Sequence, residues 1–314
     1  ERSLRGLQVF TAFLISCTLL LALSWLVAFF PGLALKPDAQ YGVPVKNYID
    51  QSQEFALCAV VLAYPVITLL RARRTWAALG FTAIAVLLIV NMVFIAVSRT
   101  TLVTMPIMLA VFAALHLKWR TNLAILLGAI VLAVSAWAVS PKLQWKVETF
   151  YRDYHLYAVQ DEPTSIGIRL EFWKKSWRFF AEAPVFGHGT GSTRGLFEKA
   201  SSGYVDGNKV FASGQVIGNP HNQTLNVAVQ WGVIGIIVLY AMWLYHLLLF
   251  RGEGLIAWIG LMVVVQNFFT SLFNSHLFDF HEGWMYVLGV GVAGGTVLGA
   301  RLREMKAAES ATRP

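Results

Sequence analysis

Charge is scarce in this chain: 13% of its 314 residues are Asp, Glu, Lys or Arg, against 57% that are hydrophobic. A soluble domain carries about a quarter charged residues, so this composition excludes a freely soluble globule and marks an integral membrane protein. Cysteine is nearly absent too. Cys17 and Cys58 fall in or beside apolar runs, which implies no disulfide framework and reads as small packing residues. Internal repeats and low-complexity tracts are missing, which excludes a solenoid. Neither the Gly-Lys-Ser/Thr of a phosphate-binding loop nor the H-E-x-x-H of zinc peptidases occurs. Nothing resembles a cleavable signal peptide. Because the chain opens at Glu1 directly before an apolar run, a preceding part of the natural protein is expected to be missing.

Long apolar runs are what is there. Eight are long enough to span a bilayer or nearly so, at about 8–30, 52–70, 76–97, 100–117, 122–140, 222–250, 254–273 and 283–300. The expected organisation is transmembrane helices 1–5 over 1–140, an outward polar segment over 141–221, helices 6–8 over 222–301 and a basic tail over 302–314.

Basic residues orient this arrangement. Arg2, Arg5, Arg71, Arg73, Arg74, Lys118, Arg120, Arg251, Arg301, Arg303, Lys306 and Arg313 fall on one side, while the other side's short loops hold Lys36, Lys46 and Arg99. Twelve against three puts both ends of the chain in the cytoplasm and 141–221 outside. The net charge of +8 is mostly this signature, so nucleic acid is not an expected partner.

Within the outward segment, 142–159 suits a polar helix and 164–182 a strongly amphipathic one. Trp173, Trp177, Phe179 and Phe180 alternate there with Lys174, Lys175 and Arg178, as in a helix lying at the lipid headgroups. Pro184 ends it, and the turn FGHGTGSTRG with His188 and Arg194 follows. Residues 198–219 read as a polar loop.

Four groups of residues invite a chemical reading. His221-Asn222, nine residues before Gly232-x-x-Gly235, stands at the mouth of the 222–250 run. Histidine takes and returns a proton near neutral pH, so His221 is a candidate base. The pair reads equally as a helix cap, with two glycines for close helix packing. Arg99, between two spans, fits phosphate oxygens or snorkels to headgroups. Arg169 precedes Trp173 by four residues on the amphipathic helix and is unremarkable alone. His276, Asp279 and His281 gather in the last outward loop without a metal-binding pattern, so no metal and no cofactor is expected and they read as loop residues near the substrate.

Taken together these elements resemble the O-antigen ligase family. VSRTTLVTMPIML (97–109) looks like its Ser-Arg turn, IGIRLEFWKKSWRFFAEAPVFGHGTGS (166–192) its outward Arg, Trp, Pro and Gly pattern, and HN-x9-GxxG at 221–235 its signature. The resemblance implies an all-helical bundle of the C-type glycosyltransferase kind with about twelve spans, of which this chain offers eight. It implies transfer of an O-antigen glycan from undecaprenyl diphosphate to lipid A-core oligosaccharide, at the outer leaflet of the bacterial inner membrane, with inversion and without metal. His221, Arg99 and Arg169 are then the catalytic residues, and Asn222, Lys174, His188, Arg194 and Trp173 bind substrate. An O-antigen polymerase and a protein O-oligosaccharyltransferase are the neighbouring readings. A lipid-linked glycan transporter is the different one, and it predicts discontinuous helices.

Overall fold

A computed structural model describes residues 2–36, 40–45, 47–116, 119–201, 205–206, 209–252 and 254–311. Each of the eight apolar runs is helical: α1 (Arg2–Phe29), α2 (Tyr48–Arg71), α3 (Thr75–Phe94), α4 (Arg99–His116), α5 (Trp119–Val139), α9 (Gln223–Leu249, divided at Gly232), α10 (Leu255–Thr270) and α11 (Phe280–Ala311). Between them lie α6 (Pro141–Gln160), α7 (Ser165–Glu182) and α8 (Ser192–Ser201). The only sheet among the described residues is the hairpin of β1 (Val205–Asp206) and β2 (Lys209–Val210). The protein is an all-α, multi-pass membrane protein. Among the described residues six helices are long and apolar enough to cross a membrane: α1, α2, α3, α4, α9 and α11. The α10 helix has 16 residues, about 24 Å of rise against a hydrocarbon core of about 30 Å. Of the basic residues used to orient the chain, Lys46, Lys118 and Arg313 lie outside the described residues.

The chain divides into two compact units. The first comprises Glu1–Leu143, His246–Gln266 and Trp284–Pro314. Its core joins α1, α2 and α3 through Cys17, Leu21, Phe55, Cys58, Leu62 and Leu88. Both cysteines are free and buried there, as the apolar reading requires. The polar start of α2 is buried too. Asn47 caps it, its Oδ1 accepting from the Ile49 and Asp50 amides at 2.8 and 2.9 Å. Gln51 Nε2 then donates to Ser24 Oγ of α1 at 3.0 Å and to Asn91 Oδ1 of α3 at 3.3 Å. Asn91 Nδ2 reaches the same Ser24 oxygen at 2.9 Å, so three helices share one satisfied polar node. Arg99 opens α4 in this unit, directly after the buried Ser98, whose carbonyl accepts from the Leu102 amide.

The second unit comprises Gln144–Tyr245 and Asn267–Gly283. Thr164 starts α7 by accepting from the Gly167 amide at 3.1 Å, while its own hydroxyl donates to Asp153 O at 2.8 Å. Gly167 leaves room for the Tyr157 ring, whose Cβ would stand 2.5 Å from an added methyl group. Of the expected aromatic stripe of α7, Phe179 packs together with Phe172 on Phe197 of α8 and Val229 of α9, while Trp177 stays exposed. The α8 helix itself replaces part of the expected polar loop, because Phe197 supplies an apolar anchor and the Arg194–Glu198 pair supports the exposed face.

Phe197 is fully buried, edge-on to both Phe172 and Phe179. Phe197→Ala is expected to cost about 3–5 kcal/mol of stability, read as a lowered melting temperature in detergent. Phe186→Ala, at a side chain 75% exposed, should change little; equal losses would contradict this packing account.

Candidate active site

The apolar run at 222–250 does not form one continuous helix. Gly232 sits at φ 62, ψ −154, a backbone region open essentially to glycine alone, and it divides α9 in two. A break releases backbone donors and acceptors that must find partners elsewhere. The turn after α7 supplies them. The His188 and Gly189 amides donate to Val229 O and Gln230 O, both at 2.9 Å. In return the Val233 and Ile234 amides donate to Pro184 O at 2.8 Å and Val185 O at 3.4 Å. Gln230 adds its side chain, Oε1 accepting from the Gly191 amide at 2.8 Å.

Two glycines permit this approach. A Cβ on Gly232 would lie 2.3 Å from Val185 O, and one on Gly187 would lie 2.4 Å from the Gln230 carbonyl carbon. The glycine pair of the motif therefore does not bring two long helices together, as the packing reading supposed. Gly232 admits the turn, while Gly235 faces Trp231 and Val227 of its own helix. The His188, Gly189 and Gly191 amides of the turn all serve α9.

The first half of α9 begins at the candidate base. Asn222 is its cap: Oδ1 accepts from the Leu225 amide and Nδ2 donates to Leu272 O, both at 3.0 Å. His221 just before it holds φ 52, an uncommon conformation for a side chain of this size. Its amide donates to Asn219 Oδ1 at 2.9 Å, and the Trp173 indole donates to the adjoining Pro220 O at 3.1 Å. The ring stacks on Phe172 with centroids 6.3 Å apart, and Nδ1 lies 2.7 Å from Asn274 Oδ1.

Burial is the main influence on this imidazole and pushes its pKa below the ordinary 6.5; the Asn274 hydrogen bond opposes it, and the Arg169 charge then adds to the lowering. His221 is thus neutral at neutral pH, the form a base needs. Arg169 stands four residues before Trp173, on the same face of α7. Trp173 thus meets the backbone just before His221 and Asn222, and the Arg169 charge acts on the imidazole.

The other candidates have different neighbours. His188 Nε2 donates to Phe179 O at 2.7 Å. Arg194 pairs with Glu198 at 3.0 Å on the exposed side of α8. Lys174 pairs with Glu171 at 3.3 Å and faces a separate cavity of about 600 Å³, shared with Tyr157, Lys175 and Arg178. There burial lowers the Lys175 pKa, while burial and the Glu171 hydrogen bond raise that of Tyr157. Arg99 belongs to the first unit.

Two neighbours of His221 come from the segment after α10. Asn274 was not singled out from the sequence; Asp279 was, as a loop residue. Asn274 Nδ2 donates to Asp279 Oδ2 at 3.0 Å. Behind it the fully buried His276 places Nδ1 3.4 Å from Asp279 Oδ2 and 3.6 Å from Glu282 Oε1. The one imidazole nitrogen and two carboxylate oxygens of this trio lie within 4.8 Å of one another, close enough to share a proton or a cation. NSHLFDFHE is the signal for it: a polar patch between two strongly apolar helices.

Helices long and apolar enough to cross a membrane, and a polar unit holding a half-buried imidazole on which a guanidinium charge acts, define a polytopic membrane protein with a polar candidate site. A family model described as O-antigen ligase matches residues 84–240, half of the chain. The chain belongs to the O-antigen ligase family, whose members carry out ligase- and polymerase-type glycan transfer. No curated protein matches it.

Gly232→Ala tests the interlock. The added methyl would meet Val185 O, and φ 62 disfavours it further. A loss of about 2 kcal/mol or more is expected, together with new protease sensitivity at 184–191. Gly252→Ala, with open space around it, should melt like the parent.

Proposed function

We propose that this chain transfers an O-antigen glycan from undecaprenyl diphosphate to lipid A-core oligosaccharide, inverting the anomeric centre without a metal ion. The site would face the periplasm at the bacterial inner membrane, with both ends of the chain cytoplasmic. The distribution of basic residues supports that orientation. The observation that carries the chemistry is the half-buried His221 imidazole, stacked on Phe172 and held by Asn274 at 2.7 Å.

In this reading the acceptor hydroxyl oxygen attacks the anomeric carbon and its proton passes to His221. The bond from that carbon to the diphosphate oxygen breaks, and the carrier leaves as the polyprenyl diphosphate. Arg169 stabilises the charge that grows on the leaving group. Arg99 contributes a second guanidinium to the diphosphate, a role that rests on its chemistry and on the Ser-Arg pattern of 97–109. Trp173 and Asn222 act one step back, fixing the backbone on either side of the base.

The broken α9 is the feature a transporter would share. There, however, exposed backbone at the break coordinates the cargo. Here the Val229 and Gln230 carbonyls and the Val233 and Ile234 amides all bond the 184–191 turn, which favours the enzyme. Offering carrier-linked glycan either lipid A-core or a second carrier-linked glycan separates ligase from polymerase by which acceptor gains sugar.

His221→Ala should lower the turnover of reconstituted protein by about 10²-fold or more; normal ligation by that variant would refute the base. Arg99→Lys and Arg169→Lys should each keep more donor binding than the alanine variant, and equal losses would rule out a phosphate contact. Because the His221 pKa is lowered, its base form persists into mild acid. The acidic limb of the rate profile is therefore expected below pH 6.5, and a limb above that value would speak against this assignment. Activity should survive a chelator, whereas a loss restored by metal would transfer the chemistry to a cation.

A further inference from the structure

An imidazole can act as a base only through the nitrogen that lacks a proton, and which nitrogen that is depends on what the other one bonds. His221 Nδ1 faces the Asn274 side-chain amide, which can present either oxygen or nitrogen. Asp279 removes the ambiguity. Its Oδ2 lies 3.0 Å from the nitrogen end of that amide, and a carboxylate accepts without donating. The amide nitrogen is therefore committed to Asp279, which turns the oxygen toward His221. That oxygen is itself an acceptor, so the 2.7 Å contact requires a proton on Nδ1.

We propose that Asn274, oriented by Asp279, is a positioning residue that locks His221 in the Nδ1–H form and so makes Nε2 the atom that receives the acceptor's proton. This rests on the reading of His221 as the base. Neither residue lies within the 84–240 match.

The surrounding backbone keeps the two partners in register. The Gln223 amide donates to Ser271 O at 2.9 Å, and the Leu277 amide donates to Gln223 Oε1 at 3.0 Å. Asn222 Nδ2 reaches Leu272 O at 3.0 Å. Three hydrogen bonds thus hold the 271–277 segment to the first residues of α9, on either side of Asn274. Asp279 Oδ2 in turn lies 3.4 Å from Nδ1 of the buried His276. The charged and titratable groups that act on His221 are Arg169 from α7 and Asp279 and His276 from this segment; the neighbouring Phe172 is apolar.

The test uses the full-length protein in proteoliposomes, with carrier-linked glycan as donor and lipid A-core as acceptor. Asn274→Ala should lower kcat by about 10- to 100-fold, leave KM for the donor unchanged and move the acidic limb to lower pH, since the bond that favours the protonated ring is gone. The exchange Asn274→Asp with Asp279→Asn keeps both hydrogen bonds. It should restore most of kcat and move the acidic limb to higher pH, because a carboxylate now adjoins the ring.

Nitrogen NMR of histidine-labelled protein reads the proton's location directly. The parent and the exchanged pair should show a protonated Nδ1 at His221, and Asn274→Ala should lose it. A parent protonated at Nε2 overturns the proposal even if the alanine variant fails to fold. So does an Asn274→Ala protein with parental kcat, pH profile and spectrum. The two readings separate cleanly: an active His221→Ala removes the base itself, whereas an inactive His221→Ala beside a fully active Asn274→Ala sinks the positioning role alone.

Discussion

The second unit depends on one exchange of backbone hydrogen bonds, between the 184–191 turn and the break in α9. Each side supplies what the other lacks. The turn offers carbonyls to the orphaned amides after Gly232 and amides to the orphaned carbonyls before it. In an apolar setting an unmet backbone group costs several kcal/mol, so neither the break nor the turn is stable without its counterpart. The α7 helix leads directly into the turn, and α9 starts directly after His221. The exchange therefore fixes the helix that carries Arg169 and Trp173 against the helix whose first residues follow the base.

From that constraint the site follows in stages. Trp173 ties the α7 face to Pro220 O, Asn219 holds the His221 amide, and Asn222 starts the helix. Each contact fixes backbone, which leaves the imidazole as the free chemical element. Asn274 and Asp279 then act on the ring itself. In the proposed reading, a base whose proton location and basicity are set by neighbours is better suited to its task than one left to solvent.

Much of the fold was legible in the sequence because membrane helices announce themselves by length and composition. All eight apolar runs became helical, but the 222–250 run is divided at Gly232, and α11 continues to Ala311, through most of the expected basic tail. The polar unit was harder. Its helix α8 carries one decisive apolar residue, Phe197, in an otherwise polar stretch, which gives no visible period. The break at Gly232 was unreadable for a different reason. A glycine inside an apolar run signals tight packing, but the choice between helix–helix contact and a positive φ is made by whatever approaches, here a turn some forty residues earlier.

The site divides the same way. His221 and Asn222, before α9, were marked by residue chemistry and spacing, whereas Arg169 and Trp173 on α7 became site candidates only through the family resemblance. Asn274 stood out to no such reading, since its significance is a contact spanning 53 positions of chain. The cations Lys174 and Arg194 drew attention by charge, and each has an acidic partner on its own helix. The Arg194–Glu198 pair, on an exposed helix face, is of a routine kind, whereas Glu171 beneath Lys174 is buried.

The left-handed backbone at His221 carries one more implication. Most side chains adopt that conformation at a cost of about 1 kcal/mol or more, and glycine adopts it freely. The proposed base is therefore a residue that the fold tolerates rather than prefers at this position. Robustness and chemistry pull in opposite directions at a single position. Selection for a sturdier chain alone would drift toward glycine there, gaining a higher melting point as the imidazole was lost.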